Sequence, residues 1–192
     1  MAHYHSTPPR ATTLWSSVQW WPTLTDIALA GFVAFDLSRG RDLAPILAAS
    51  GLVYLGAAAL QKPATAWPVF IVTFIVITVA SLGLLDVDAT WVLLGLAGAL
   101  FAYGLIRGAG HSAGGLPLQA AAMVVVGSVA AIALYVNEVV GAYLVAAGLL
   151  AHAAWDAYHH RANRVVVRSM AEFCFVLDIL LAAAIVIVTV RG

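Results

Sequence analysis

The sequence predicts an all-α integral membrane protein, a bundle of about seven transmembrane helices with its amino terminus inside and its carboxy terminus outside. Three observations carry that expectation. Apolar residues make up 63% of the 192 positions and charged residues 9%, against about 25% charged in a soluble domain. The apolar residues fall into runs separated by short polar or Gly/Pro-rich turns, and a run of about nineteen residues crosses a hydrocarbon core about 30 Å thick. Basic residues also gather beside alternate ends of these runs. Arg10, Lys62, Arg107, Arg161, Arg164 and Arg168 fall on one side and Arg39, Arg41 and Arg191 on the other, which places the first side in the cytoplasm.

Residues 1–13 are polar, hold Pro8 and Pro9 and lack apolar periodicity, so they read as a flexible tail ahead of a single transmembrane domain over 14–192. The first span begins at Trp15 or Trp20 and ends at Leu37, closed by Arg39 and Arg41; Asp26 and Asp36 within it argue against a cleaved signal peptide. The second runs from Leu43 to Leu60, with Pro45 tolerated in its first turn. Gln61, Lys62 and Pro63 separate it from the third, Trp67 to Leu85, which is rich in β-branched and aromatic residues. The junction between these two is close enough that six spans is the alternative count.

Asp86 and Asp88 mark a wet loop before the fourth span, Trp91 to Ile106, which ends at Arg107. A glycine-rich loop holding His111, expected to be solvated, leads to the fifth span, Pro117 to Val136. Asn137 and Glu138 make the next turn. The sixth span starts at Val139 and the seventh covers Val165 to Val190.

Nine basic and nine acidic residues cancel, so no nucleic-acid surface is indicated. The single cysteine, Cys174, excludes an intrachain disulfide and a cysteine-rich metal site and reads as a small buried apolar residue. The only lysine, Lys62, lies in a loop, which excludes a retinal Schiff base in the last helix.

The stretch from His152 to Asp178 holds three of the six histidines and three of the nine acidic residues. Ionisable groups inside a membrane span are costly and therefore functional candidates. On a helix, His152, Asp156 and His159 or His160 stand at i, i+4 and i+7 or i+8 and share a face. Counting the seventh span from Val165 puts Glu172 at the depth of His152, with Asp178 deeper and on another face beside Cys174. Imidazoles and carboxylates together suit zinc or iron.

Two readings follow. In the leading one the chain is a metal-dependent enzyme of the cell membrane, with a site near the cytoplasmic face that takes an apolar or lipid-like substrate from the bilayer. His152, Asp156, His159 and His160 are the candidate ligands, Glu172 a ligand or general base, and Arg107 an anchor for an anionic head group. The competing reading is a small proton- or cation-coupled transporter or channel with a relay through Asp26, His152, Asp156, Glu172 and Asp178; a non-catalytic assembly subunit is a third. The plainer roles are pairing of Glu172 with Arg168 and interfacial anchoring by Trp155 and Tyr158.

The piece Asp156-Ala157-Tyr158-His159-His160 resembles one histidine box of the membrane-bound di-iron hydroxylases and desaturases. Those families use several boxes and this chain has one, so the resemblance implies carboxylates such as Glu172 and Asp26 in place of the missing histidines. The seven-helix zinc hydrolases of the ceramidase and progestin-receptor-like type are similar in architecture, but the His-x-x-x-His of their last helix is absent here. No family is assigned.

Overall fold

The computed structural model describes residues 43–111 and 115–191. These build six α-helices and two short 3-10 turns, with no strand among the described residues. The helices are α1 (Ala44–Ala59), α2 (Ala66–Ser81), α3 (Ala89–Ile106), α4 (Leu116–Ala133), α5 (Glu138–Ala162) and α6 (Arg168–Arg191). The expected tail, the first expected span and Asp26 lie outside the described residues. Among the described residues five helices are long and apolar enough to cross a membrane: α2 extended by the turn from Pro63, then α3, α4, α5 and α6.

The second expected span is the exception. It is α1, only 16 residues long, and every residue of it except Ile46 is buried. A helix that is apolar all round belongs in an interior. Here α1 packs against α2, α3, α4 and α5 and forms the axis of the bundle. Small residues permit the close approach. A Cβ on Gly104 of α3 would lie 3.0 Å from the Ala59 Cα and 2.7 Å from Leu116 Cδ2, and one on Gly148 of α5 would meet Leu47 of α1 at 2.6 Å. On the other side of α1, an aromatic cluster joins α2 to α6: Phe173 meets Trp67 and Phe70 edge-on at 5.3 and 5.0 Å, and Trp67 Nε1 donates to Ser169 Oγ at 3.2 Å.

Local chemistry sets several helix ends. Asp88 Oδ1 accepts from Thr90 N at 2.7 Å and Asn137 Oδ1 from Val140 N at 2.9 Å, side-chain caps that begin α3 and α5 one or two residues earlier than the apolar runs suggested. Asn163 ends α5 in the left-handed region at φ 48°. The last helix begins at Arg168 and not at Val165, because Val165 itself sits at φ 70°, which no right-handed helix contains.

The α1–α2, α3–α4 and α5–α6 loops meet around one cavity, so they share an end of the bundle. That end carries Lys62, Arg107, Arg161, Arg164 and Arg168; the returning helices leave Asp86, Asp88, Glu138 and Arg191 at the other.

The closest partners are α5 and α6. The buried stripe of α5 is Gly141, Val145, Leu149, His152, Asp156 and His159, a run at three- and four-residue spacing. The matching stripe of α6 holds Met170, Cys174, Leu177, Asp178, Leu181 and Ile185. The polar residues thus occupy core positions and pack where apolar ones would.

Candidate metal centre

Depth brings Asp178 to His152. His152 lies ten residues before the end of α5 and Asp178 ten residues after the start of α6, so in this antiparallel pair both sit about 15 Å from the basic end. The group therefore lies well inside the α5/α6 pair and not at its basic end. Glu172, six residues nearer that end, is about 9 Å short of it and is half-buried on the flank of the stripe. The expectation that Glu172 faces His152 counted from a helix start three residues too early, which accounts for about half of that 9 Å.

His152 Nδ1 is 3.0 Å from Asp178 Oδ2 and 3.3 Å from Asp156 Oδ2. One ligand atom from each of the three residues can be chosen so that all lie within 4.8 Å of one another, and all three residues are buried. Ligand atoms about 2.1 Å from one ion and about 90–110° apart are separated by about 3.0–3.4 Å, so both distances from Nδ1 fit a shared cation. Two further features favour a cation. Every described Lys and Arg stands at a helix end, leaving one imidazole to balance two buried carboxylates. Asp156 Oδ2, on the side of the shared point, is also buried without a hydrogen-bond partner, a costly state for a polar atom in a core.

Two residues not singled out in the sequence complete the site. Tyr54 of α1, 1% exposed, donates its hydroxyl to Asp156 Oδ1 at 2.6 Å and holds that carboxylate with Oδ2 turned to His152. Its ring also packs edge-on against His152 and His159, with centroids at 5.3 and 5.0 Å. Gln119 of α4, equally buried, lies with Nε2 3.2 Å from His159 Nε2, while its Oε1 accepts from Trp155 Nε1 at 3.3 Å. The signal for both was a polar side chain within an apolar helix, which Tyr54 shares in α1 only with Ser50 and Gln119 shares in α4 only with Ser128.

The other expected residues stand apart. His159 is on the stripe, but its Nδ1 lies 3.0 Å from the Trp155 carbonyl and its Nε2 faces Gln119, so both nitrogens are occupied. His160 is half-buried beside the stripe. Arg107 ends α3 at the basic end, where its carbonyl accepts from Gln61 Nε2 at 3.2 Å. Cys174 is buried one turn from Asp178, with Sγ 3.6 Å from Met170 Sδ.

Two openings approach the centre. A cleft of about 350 Å³ between α1, α4 and α5 is lined by Tyr54, Gln119, His152 and Trp155 among apolar residues such as Val125 and Val126. On the far side of α1, a cavity of about 90 Å³ lined by Val53, Phe70 and Cys174 reaches Asp178.

Tyr54→Phe is expected to weaken metal binding about 10–100-fold, because removing an outer partner frees a ligand to rotate. Competition with a chromogenic chelator measures this; unchanged affinity would mean that the phenol does not orient Asp156.

No family model, curated protein or solved structure matches this chain.

Proposed function

We propose that this chain is a metal-dependent enzyme of the cell membrane that acts on an apolar or lipid-like substrate, with His152, Asp156 and Asp178 holding zinc or iron. The observation that carries the reading is the convergence of three ligand-type side chains at one buried point. One imidazole and two carboxylates form a donor set suited to either metal, and a bound divalent ion would polarise a substrate oxygen or activate water.

The protein's own groups supply the rest. Tyr54 fixes Asp156 with the oxygen Oδ2 turned to His152. His152 lines the α1/α4/α5 cleft, so a substrate lying in that cleft would sit beside the cluster. The cleft presents almost no other polar surface, so it favours an acyl or isoprenoid chain over a hydrated solute. The orientation that agrees with the positive-inside rule places the basic end in the cytoplasm.

The test is metal analysis by inductively coupled plasma mass spectrometry on protein purified without a histidine tag. About one zinc or iron per chain is expected; protein that remains metal-free after growth with both metals sinks the proposal.

A second reading has its own support. The His152/Asp178 contact lies well inside the α5/α6 pair, with an opening on either side of α1, an arrangement suited to a proton- or cation-coupled transporter. Proteoliposomes distinguish the two, since a transporter passes protons or metal ions in a manner sensitive to Asp178→Asn and an enzyme does not.

A further inference from the structure

The basic end of the bundle carries a cavity of about 580 Å³, open to the surface, larger than either opening near the metal centre and within the range of about 300–1,000 Å³ usual for small-molecule sites. Three loops build it. Lys62 comes from the α1–α2 loop, His111 from the α3–α4 loop and Arg164 from the α5–α6 loop, and no described acidic residue lines it. Neither Lys62 nor Arg164 has an ion-pair partner among the described residues. Like charges gathered around one space repel, and an anion between them removes that cost.

The loops are also held in unusual conformations. Val165, which lines the cavity, stands at φ 70° and Gln61 at φ 54°. For a β-branched residue the left-handed region is an outlier costing about 1–3 kcal/mol, and such strain clusters at ligand clamps. Gln61 Nε2 also donates to the Arg107 carbonyl at 3.2 Å, tying the first loop to the second. The Gln61–Arg107 hydrogen bond and the turn at Val165 hold the backbone that carries Lys62 and Arg164 before any ligand arrives, which reduces the ordering cost of binding. The uncapped residue before α4, Gly115, is in the wall, so the positive end of that helix dipole adds to the field.

We propose that this cavity is an anion site for a phosphate group, with Lys62 and Arg164 pairing with its oxygens and His111 completing the ring. The phosphate belongs either to a phospholipid head group of the adjacent leaflet or to a soluble phosphate compound; both present the same charged oxygens. The site is separate from the metal centre, about 15 Å deeper in the bundle, and does not depend on a metal being bound there.

Full-length protein in a neutral detergent is titrated with inorganic phosphate by calorimetry. A second sample is equilibrated with equal amounts of phosphatidylglycerol and phosphatidylcholine and examined by native mass spectrometry. Phosphate binding identifies the soluble source. Retention of phosphatidylglycerol over phosphatidylcholine without phosphate binding identifies the head group. The double substitution Lys62→Gln with Arg164→Gln is expected to weaken whichever binding occurs at least about tenfold. Lys62→Arg with Arg164→Lys should preserve it, and Arg191→Gln at the opposite end should leave it unchanged, both with wild-type helicity by circular dichroism. The proposal is overturned if wild type binds neither probe, if the double Gln variant binds as wild type does, or if Arg191→Gln weakens binding equally.

Discussion

Asp178→Asn is expected to empty the metal centre, lowering affinity for zinc or iron by more than about 100-fold, while Glu172→Gln leaves it near wild type. The magnitude follows from the known scale of outer-partner losses: removing a group that merely orients a ligand costs about 10–100-fold, so removing a ligand costs more. Asn preserves the shape of Asp178 and its place in the α6 stripe but withdraws the negative charge facing His152 Nδ1 at 3.0 Å. Glu172 lies about 9 Å nearer the basic end and has no part in the convergence. Metal content and chelator competition on the two variants read the difference. Equal loss in both, or loss in Glu172→Gln alone, would mean that the ligand set is not the one the α5/α6 pairing brings together.

This contrast marks where sequence reasoning reached its limit. The helices from Trp67 onward were legible because continuous apolar runs bounded by Asp88, Asn137 and Pro117 leave few other ways to satisfy the backbone. The polar stripe His152, Asp156, His159 was legible for the same reason: fixed helical spacing turns sequence into a face. What crosses between helices was not. The partner of His152 depended on where the helices end and begin, and the positive φ of Val165 moved the start of α6 by three residues, or about 4.5 Å of the roughly 9 Å between Glu172 and Asp178. Asp178 was thereby assigned to a separate, deeper role when it is the nearest carboxylate to His152. Tyr54 went unread because α1 has no polar face to give its hydroxyl a direction; only the central position of α1 aims it at Asp156.

The metal-free centre should be unstable in a way that separates its electrostatics from its packing. His152→Ala removes the imidazole between Asp156 and Asp178 and leaves two buried carboxylates facing each other, for which the expected cost is about 3–5 kcal/mol. For a chain of this size about 2–4 °C of melting temperature corresponds to each kcal/mol, so a fall of roughly 6–20 °C is expected in metal-free protein. The triple replacement His152→Leu, Asp156→Leu, Asp178→Leu should recover most of that loss. All three positions lie on buried stripes beside Leu149, Cys174 and Leu181, where apolar side chains belong, and apolar replacements of buried ionic groups are often neutral or stabilising. Recovered stability with no metal bound identifies a cluster kept for chemistry at the expense of stability. A triple variant that fails to recover would instead mean that the cluster serves to lock α5 against α6 and would favour the non-catalytic subunit, whereas a His152→Ala protein as stable as wild type would mean that the imidazole does not compensate the two carboxylates.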